Sequence, residues 1–158
     1  MTLFYEDLEV GQVFHTAART VTETDLTVFS MLSGDWNPIH SDAEFASDTF
    51  YGQRVVHGLF GISLLTGLME RAGWFSESAL ALLDIERWAF RKPIFVGDTL
   101  RAEMEIVSKR MTSAGDRGVV GRRFTLLNQR DEVVQTGDLG MMIRLTPEVT
   151  ALAPRATR

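Results

Sequence analysis

Asp35, Asn37 and His40 stand within six positions of one another in the stretch Ser33-Gly34-Asp35-Trp36-Asn37-Pro38-Ile39-His40-Ser41-Asp42. A carboxylate accepts protons and hydrogen bonds, and an imidazole exchanges protons near neutrality. Pro38 keeps the stretch out of any regular helix interior, so Asp35 and His40 bracket a tight irregular turn. Side chains projected from such a turn converge on one small object, and a water molecule suits both. The chemistry offered is acid–base chemistry on that water, with Asn37 either fixing the loop or touching a substrate. An Asp-x4-His spacing alone is weak evidence, since an aspartate cap beside a surface histidine gives the same pattern. Only three histidines occur, His15, His40 and His57. His57 reads as support for a helix start or loop.

The elements around the turn read as its scaffold. Val10-Gly11 turns the chain into a first strand over Val13–Val21. Thr22 or Thr24 caps a helix beginning near Asp25, whose acidic first turn complements the helix dipole. Leu26, Phe29 and Leu32 form its apolar face, and Gly34 ends it in a conformation that glycine accepts readily. The turn therefore leaves a helix C-terminus, and a second short helix follows with Ser41 or Asp42 as cap.

His57–Gly73 holds the longest apolar run, nearly unbroken until Glu70, and it predicts a helix buried on most sides. About fifteen residues give roughly 22 Å, too short to cross a bilayer. Gly61 and Gly67 lie inside it, each at a cost of about 1 kcal/mol relative to alanine, which predicts close approach by another backbone or a ligand. Strands follow over Leu83–Phe90, Thr99–Ile106, Val119–Leu127 and Val133–Ile143. Trp88 and Phe90 are assigned to the core. The short connections favour an antiparallel sheet. The outline is α+β: a single domain over residues 1–147 with the sheet wrapped around a long central helix. The segment 148–158 reads as a loosely ordered tail.

Composition narrows the classes further. With 158 residues the chain supports one core, and with no cysteine it has no disulfide, thiolate nucleophile or zinc–thiolate site. A net charge of −5 argues against nucleic acid as main partner. No membrane span and no signal pattern is legible, which fits a cytoplasmic protein. Metal-ligand clusters and glycine-rich phosphate loops are not evident, so no metal or redox cofactor is expected.

Three motifs in order carry a resemblance. The stretch Ser33–His40, then Val55-Val56-His57-Gly58, then Phe90-Arg91-Lys92-Pro93-Ile94-Phe95-Val96-Gly97-Asp98 resembles the MaoC-like dehydratases, the (R)-specific enoyl-CoA hydratase group. The resemblance implies a hot-dog fold, and a homodimer, or a larger assembly of dimers, whose sheets join. It also implies an acyl-CoA tunnel at the subunit interface and reversible syn hydration of a trans-2-enoyl thioester. By this resemblance Asp35 and His40 hold the water between them. Coenzyme A would enter only as part of the substrate.

Such a reaction also needs donors for the enolate-like thioester oxygen. Gly58 opens the long helix, where free N–H groups and the dipole favour negative charge, and is the candidate oxyanion donor. Ser63 and Thr66 are candidates to line the acyl pocket, or else bond a carbonyl one turn back. Arg91 and Lys92 are candidates for the coenzyme A phosphates, against the alternative of a solvated charge pair. The segment Trp74–Ala79 is expected to shape the tunnel. Two rivals remain: a hot-dog thioesterase, disfavoured because the helix carries no acid before Glu70, and a non-catalytic acyl-binding subunit, disfavoured by the intact Asp35 and His40.

Overall fold

The computed structural model describes residues 2–152. A single 3-10 turn, Tyr5–Asp7, precedes β1 (Val13–His15) and β2 (Arg19–Thr20). Then come α1 (Glu23–Ser33), α2 (Pro38–Ser41), α3 (Ala43–Ser47) and α4 (Gly58–Ala72). β3 (Ala79–Phe90), β4 (Thr99–Met111), β5 (Arg117–Leu127), β6 (Val133–Arg144) and α5 (Pro147–Leu152) complete the chain. The segment read as a loose tail thus begins with a short helix, and residues 153–158 lie outside the described residues.

The strands form an antiparallel sheet in the order β1-β4-β5-β6-β3, with β2 also paired to β4. The first strand, expected to run unbroken to Val21, is split in two. Thr16 lies buried between the halves and exchanges bonds with Ala102 through its backbone N–H (2.9 Å) and its hydroxyl (2.9 Å). Alternation then sets the faces. Gly118, Val120, Phe124 and Leu126 of β5 point inward with Leu100, Ala102, Met104 and Ile106 of β4. Phe60, Leu64, Leu65, Leu68 and Met69 of α4 fill the concave side. One antiparallel sheet wrapped around one long helix is the hot-dog arrangement.

Helix α4 is less enclosed than its sequence predicts. Leu59 is 63% exposed, and Ser63, Thr66 and Gly67 are also exposed, so one face is open. Gly61 is approached by a side chain and not by the expected backbone or ligand, since a Cβ there would lie 2.4 Å from Gln135 Nε2. Gly67 has nothing within 4 Å of such an atom. β3 is an edge strand, bonded to β6 on one side only. Its Leu80, Leu82, Leu83 and Ile85 are all exposed. No helix among the described residues is long and apolar enough to cross a membrane.

Candidate active site

Helix α1 aims the turn. Thr22 and Asp25 close a capping box at its start, and Gly34 ends it at φ 74°. The Ser33 hydroxyl donates to Phe29 O (2.7 Å) and accepts from Asp35 N (3.2 Å). Asp35 Oδ1 accepts from Asn37 N (3.2 Å), and Asn37 Oδ1 accepts in turn from Ile39 N (3.1 Å). These two successive side-chain turns place Pro38 at the first position of α2, where its missing N–H costs nothing. Asn37 thus fixes the loop as a helix cap, and Asp42 caps α3 through Phe45 N (3.0 Å).

Two histidines close on Asp35. His40 Nδ1 lies 2.7 Å from Val55 O. A carbonyl only accepts, so Nδ1 carries the hydrogen and neutral His40 presents a bare Nε2. That Nε2 lies 3.8 Å from Asp35 Oδ2. Both atoms are acceptors, so they do not bond each other. The gap fits a water about 2.8 Å from each, which would donate one hydrogen to the carboxylate and the other to the imidazole. His57 stacks on His40 with ring centroids 3.8 Å apart, and its Nε2 lies 2.9 Å from Asp35 O. By the same reasoning His57 carries its hydrogen on Nε2. Its Nδ1 is buried without a partner, so the ring anchors the backbone of Asp35 and leads to no further proton acceptor.

The atoms of Asp35, His40 and His57 lie within 4.8 Å of one another, a spacing that a metal ion also uses. With a hydrogen on the only His57 nitrogen that faces the cluster, two ligand atoms remain. That is fewer than a protein site normally supplies.

His40 and Gly58 line one cleft of about 440 Å³, together with Tyr51, Phe90 and Arg91. Gly58 is the first residue of α4, and its N–H has no intrahelical partner. A Cβ at this position would sit 3.0 Å from Phe90 Cε1, so the backbone edge stays reachable only with glycine. Phe90, assigned to the core from sequence, is 54% exposed and forms the cleft wall instead: it ends β3 on the inner face, paired with Gln135 and beside Gly58, where the cleft opens. Trp88 does pack against the core.

Gln135 escapes a sequence reading. It is 1% exposed, donates to Gly58 O (2.9 Å) and accepts from Trp88 Nε1 (3.2 Å), so it pins the start of α4. Its signal is a lone amide at an inward position of an apolar strand, facing a glycine in the helix.

The remaining candidates separate. Arg91 and Lys92 both line the cleft, but Lys92 Nζ is bound by Glu132 Oε1 at 2.6 Å. Hydrogen bonds from Asn128, Lys92 and Arg130 pull the Glu132 carboxyl down to about 2, so that partner stays charged. Ser63 donates to Leu59 O (3.2 Å) and Thr66 to Ser63 O (2.7 Å), and they line two other cavities. Neither is brought to the cleft of His40 and Gly58. Phe75 and Ala79, from the segment expected to shape the tunnel, line the same cavity as Thr66.

A hot-dog domain with an Asp–His turn beside the N-terminus of its central helix defines the class. Residues 7–125 match the MaoC like domain, and the chain belongs to the MaoC-like family. It is 36% identical over 109 residues to the protein MaoC of Klebsiella aerogenes, covering 69% of this chain and 31% of that protein. It is 33% identical over 105 residues to the (R)-specific enoyl-CoA hydratase of Aeromonas caviae, covering 66% of this chain and 75% of that enzyme. Among solved structures, the monoamine oxidase regulatory protein from Archaeoglobus fulgius superimposes with a TM-score of 0.85 at 32% identity, covering 93% of this chain and 98% of that one.

Proposed function

We propose that this chain is a hydro-lyase that reversibly adds water across a trans-2-enoyl-CoA, or a related acyl thioester, to give the 3-hydroxyacyl thioester. The observation that carries the reading is the 3.8 Å gap between two acceptors, Asp35 Oδ2 and His40 Nε2. A water donating to both has its lone pairs directed away from them, toward an incoming β-carbon. Its oxygen bonds to that carbon, and one of its protons passes to the Asp35–His40 pair. The displaced π electrons move onto the thioester oxygen, which the Gly58 N–H receives at the positive end of α4. The pair then returns a proton to the α-carbon on the same face, giving syn addition. The sum is redox-neutral and needs neither an electron carrier nor a metal. The Aeromonas caviae relative is named an enoyl-CoA hydratase, which supports the same reading.

The working form in this reading is a homodimer, or a larger assembly of dimers. Support comes from the unpaired edge of β3 and the exposed leucines and isoleucine along it, which form a ready template for a second copy. Arg91 is the better candidate for the coenzyme A phosphates, because Lys92 is already paired.

Incubation with crotonyl-CoA tests the reading, following conjugated enoyl absorbance and free thiol in parallel. Loss of absorbance without thiol is the expected result. Thiol release without hydration would indicate a thioesterase, and silence in both channels an acyl-binding subunit.

A further inference from the structure

Arg122 is the least expected residue of the interior. It occupies an inward position of β5, in a file with Gly118, Val120, Phe124 and Leu126, and is 3% exposed. No carboxylate pairs with it among the described residues. Its Nη1 reaches only the thioether of Met69 (3.6 Å), and its Nε is buried with no partner. The rings of Phe124 and Phe75 lie 5.3 and 5.7 Å from the guanidinium carbon. Desolvation pulls its pKa down to about 10, so the side chain stays cationic at neutral pH. A buried cation without a counter-charge is costly, and a chain that keeps one gains by pairing it with something that arrives later. Arg122 lines a cavity of about 290 Å³ with Phe75, Leu80, Leu82, Leu139 and Met141, a wall otherwise almost wholly apolar. Glu70 also lines this cavity but forms no ion pair with Arg122.

We propose that this cavity receives the far end of the acyl chain, and that Arg122 binds a terminal carboxylate there, making the preferred substrate an enoyl thioester of a dicarboxylic acid. The inference rests on the hydro-lyase reading and names its substrate class. Within one chain, Met69 lies about 16 Å along α4 from Gly58, beyond a short acyl group held at the catalytic turn. The route runs through the second copy. Pairing two free β3 edges in one continuous sheet, with both helices on the same face, makes the strands antiparallel. The Ala79–Leu82 end of one copy then lies beside the Phe90 end of the other, so the Arg122 cavity of one protomer extends the cleft of its partner. A guanidinium fork and a carboxylate pair through two parallel hydrogen bonds, which the unpartnered Nε can share.

The test compares trans-2-enoyl-CoA thioesters of increasing length with the same chains ending in a carboxylate, from glutaconyl-CoA upward. At one chain length the carboxylated substrate should show a kcat/KM about tenfold or more above its uncharged counterpart. Arg122→Met should erase that preference and leave crotonyl-CoA turnover unchanged, while Arg122→Lys keeps part of it. Uncharged chains favoured at every length, or a preference that survives Arg122→Met, would overturn the inference. In that event, continued hydration of crotonyl-CoA would leave the hydro-lyase reading standing. Turnover of no thioester removes both. If Arg122→Met does not fold, the wild-type series and Arg122→Lys still decide.

Discussion

At the catalytic turn, polar partners are local: Asp35 bonds Asn37 two residues on, and His40 bonds Val55 fifteen residues on. At the Arg122 cavity they are neither local nor complete: among the described residues the one hydrogen-bond contact is to the Met69 thioether, 53 positions away in sequence, and Nε has none. The turn is built before substrate arrives, because Asp35, Asn37 and His40 are each held by a backbone group and a water-sized gap is left between Asp35 and His40. The cavity is left with a charge that no carboxylate among the described residues neutralises. In the proposed reaction the pre-organised groups would serve a step common to all substrates, and the unsatisfied charge the choice among them. The two regions should therefore fail differently when mutated.

The largest effect belongs to the turn. Asp35→Asn or His40→Ala should lower kcat by about 10²- to 10⁴-fold on every thioester, as expected for loss of a group that moves protons. Asp35 has a half-exposed side chain, so thermal unfolding of Asp35→Asn should stay close to wild type. Near-normal turnover in either variant would erase the distinction between the regions.

Gly58→Ala comes next. The added methyl would meet Phe90 at 3.0 Å at the mouth of the same cleft. The variant should lose about 10- to 10³-fold in kcat, with a paired Phe90→Ala change recovering part of the loss. Failure of the second change to rescue would mean that the crowding argument is wrong.

Gln135→Leu probes the support beneath the site. It removes the partner of the Gly58 carbonyl and of the Trp88 indole, and should cost about 1–3 kcal/mol of stability in urea unfolding. An unchanged unfolding midpoint would show that water replaces the amide.

Arg122→Met should move stability in the opposite direction to most core changes, from neutral to gains of about 1–4 kcal/mol, because a buried unpaired cation gives way to an apolar side chain. A strongly destabilised variant would reveal a structural role for Arg122.

The smallest effect is expected at Glu132. Its carboxyl titrates near 2 in the folded chain against 4.5 ordinarily. A depressed carboxyl pKa contributes stability that is present above the ordinary value and lost as pH falls toward the folded one. Glu132→Gln should thus lower stability slightly above about pH 4.5, the loss being small because the pair with Lys92 is solvent-exposed, and match wild type near pH 2, which flattens acid unfolding between the two. An equal loss at pH 7 and pH 2 would contradict this.

Sequence and structure agree best where local chemistry decides. Thr22 among the two cap candidates, Gly34 as stop and the period-two alternation of Thr99–Ile106 all act within a few residues, and these elements formed as read. The stretch read as an irregular turn instead holds the short helix α2, which Pro38 opens and which carries His40. The placement of His40 beside Asp35 and in one cleft with Gly58 is legible because their motifs are short and ordered along the chain. Gln135 and Arg122 were not, because their meaning depends on what lies across the sheet. A glutamine in an apolar strand becomes a clamp only when Gly61 leaves room for it. An arginine at an inward position becomes informative only when no carboxylate is found beside it. Phe90 differs from its core assignment for a related reason: it shares the inner face with Gln135, but whether the end of β3 is covered or opens into a cleft depends on the fold around it.

In the proposed reaction Asp35 and His40 together hold a water for addition to an enoyl thioester. The most direct measurement is single-turnover hydration of crotonyl-CoA by wild type, Asp35→Asn, His40→Ala and the double variant. If both residues act on one water, the double variant should be no slower than the slower single variant. Multiplicative losses would show that the two residues act independently, and unchanged single variants would contradict the account outright.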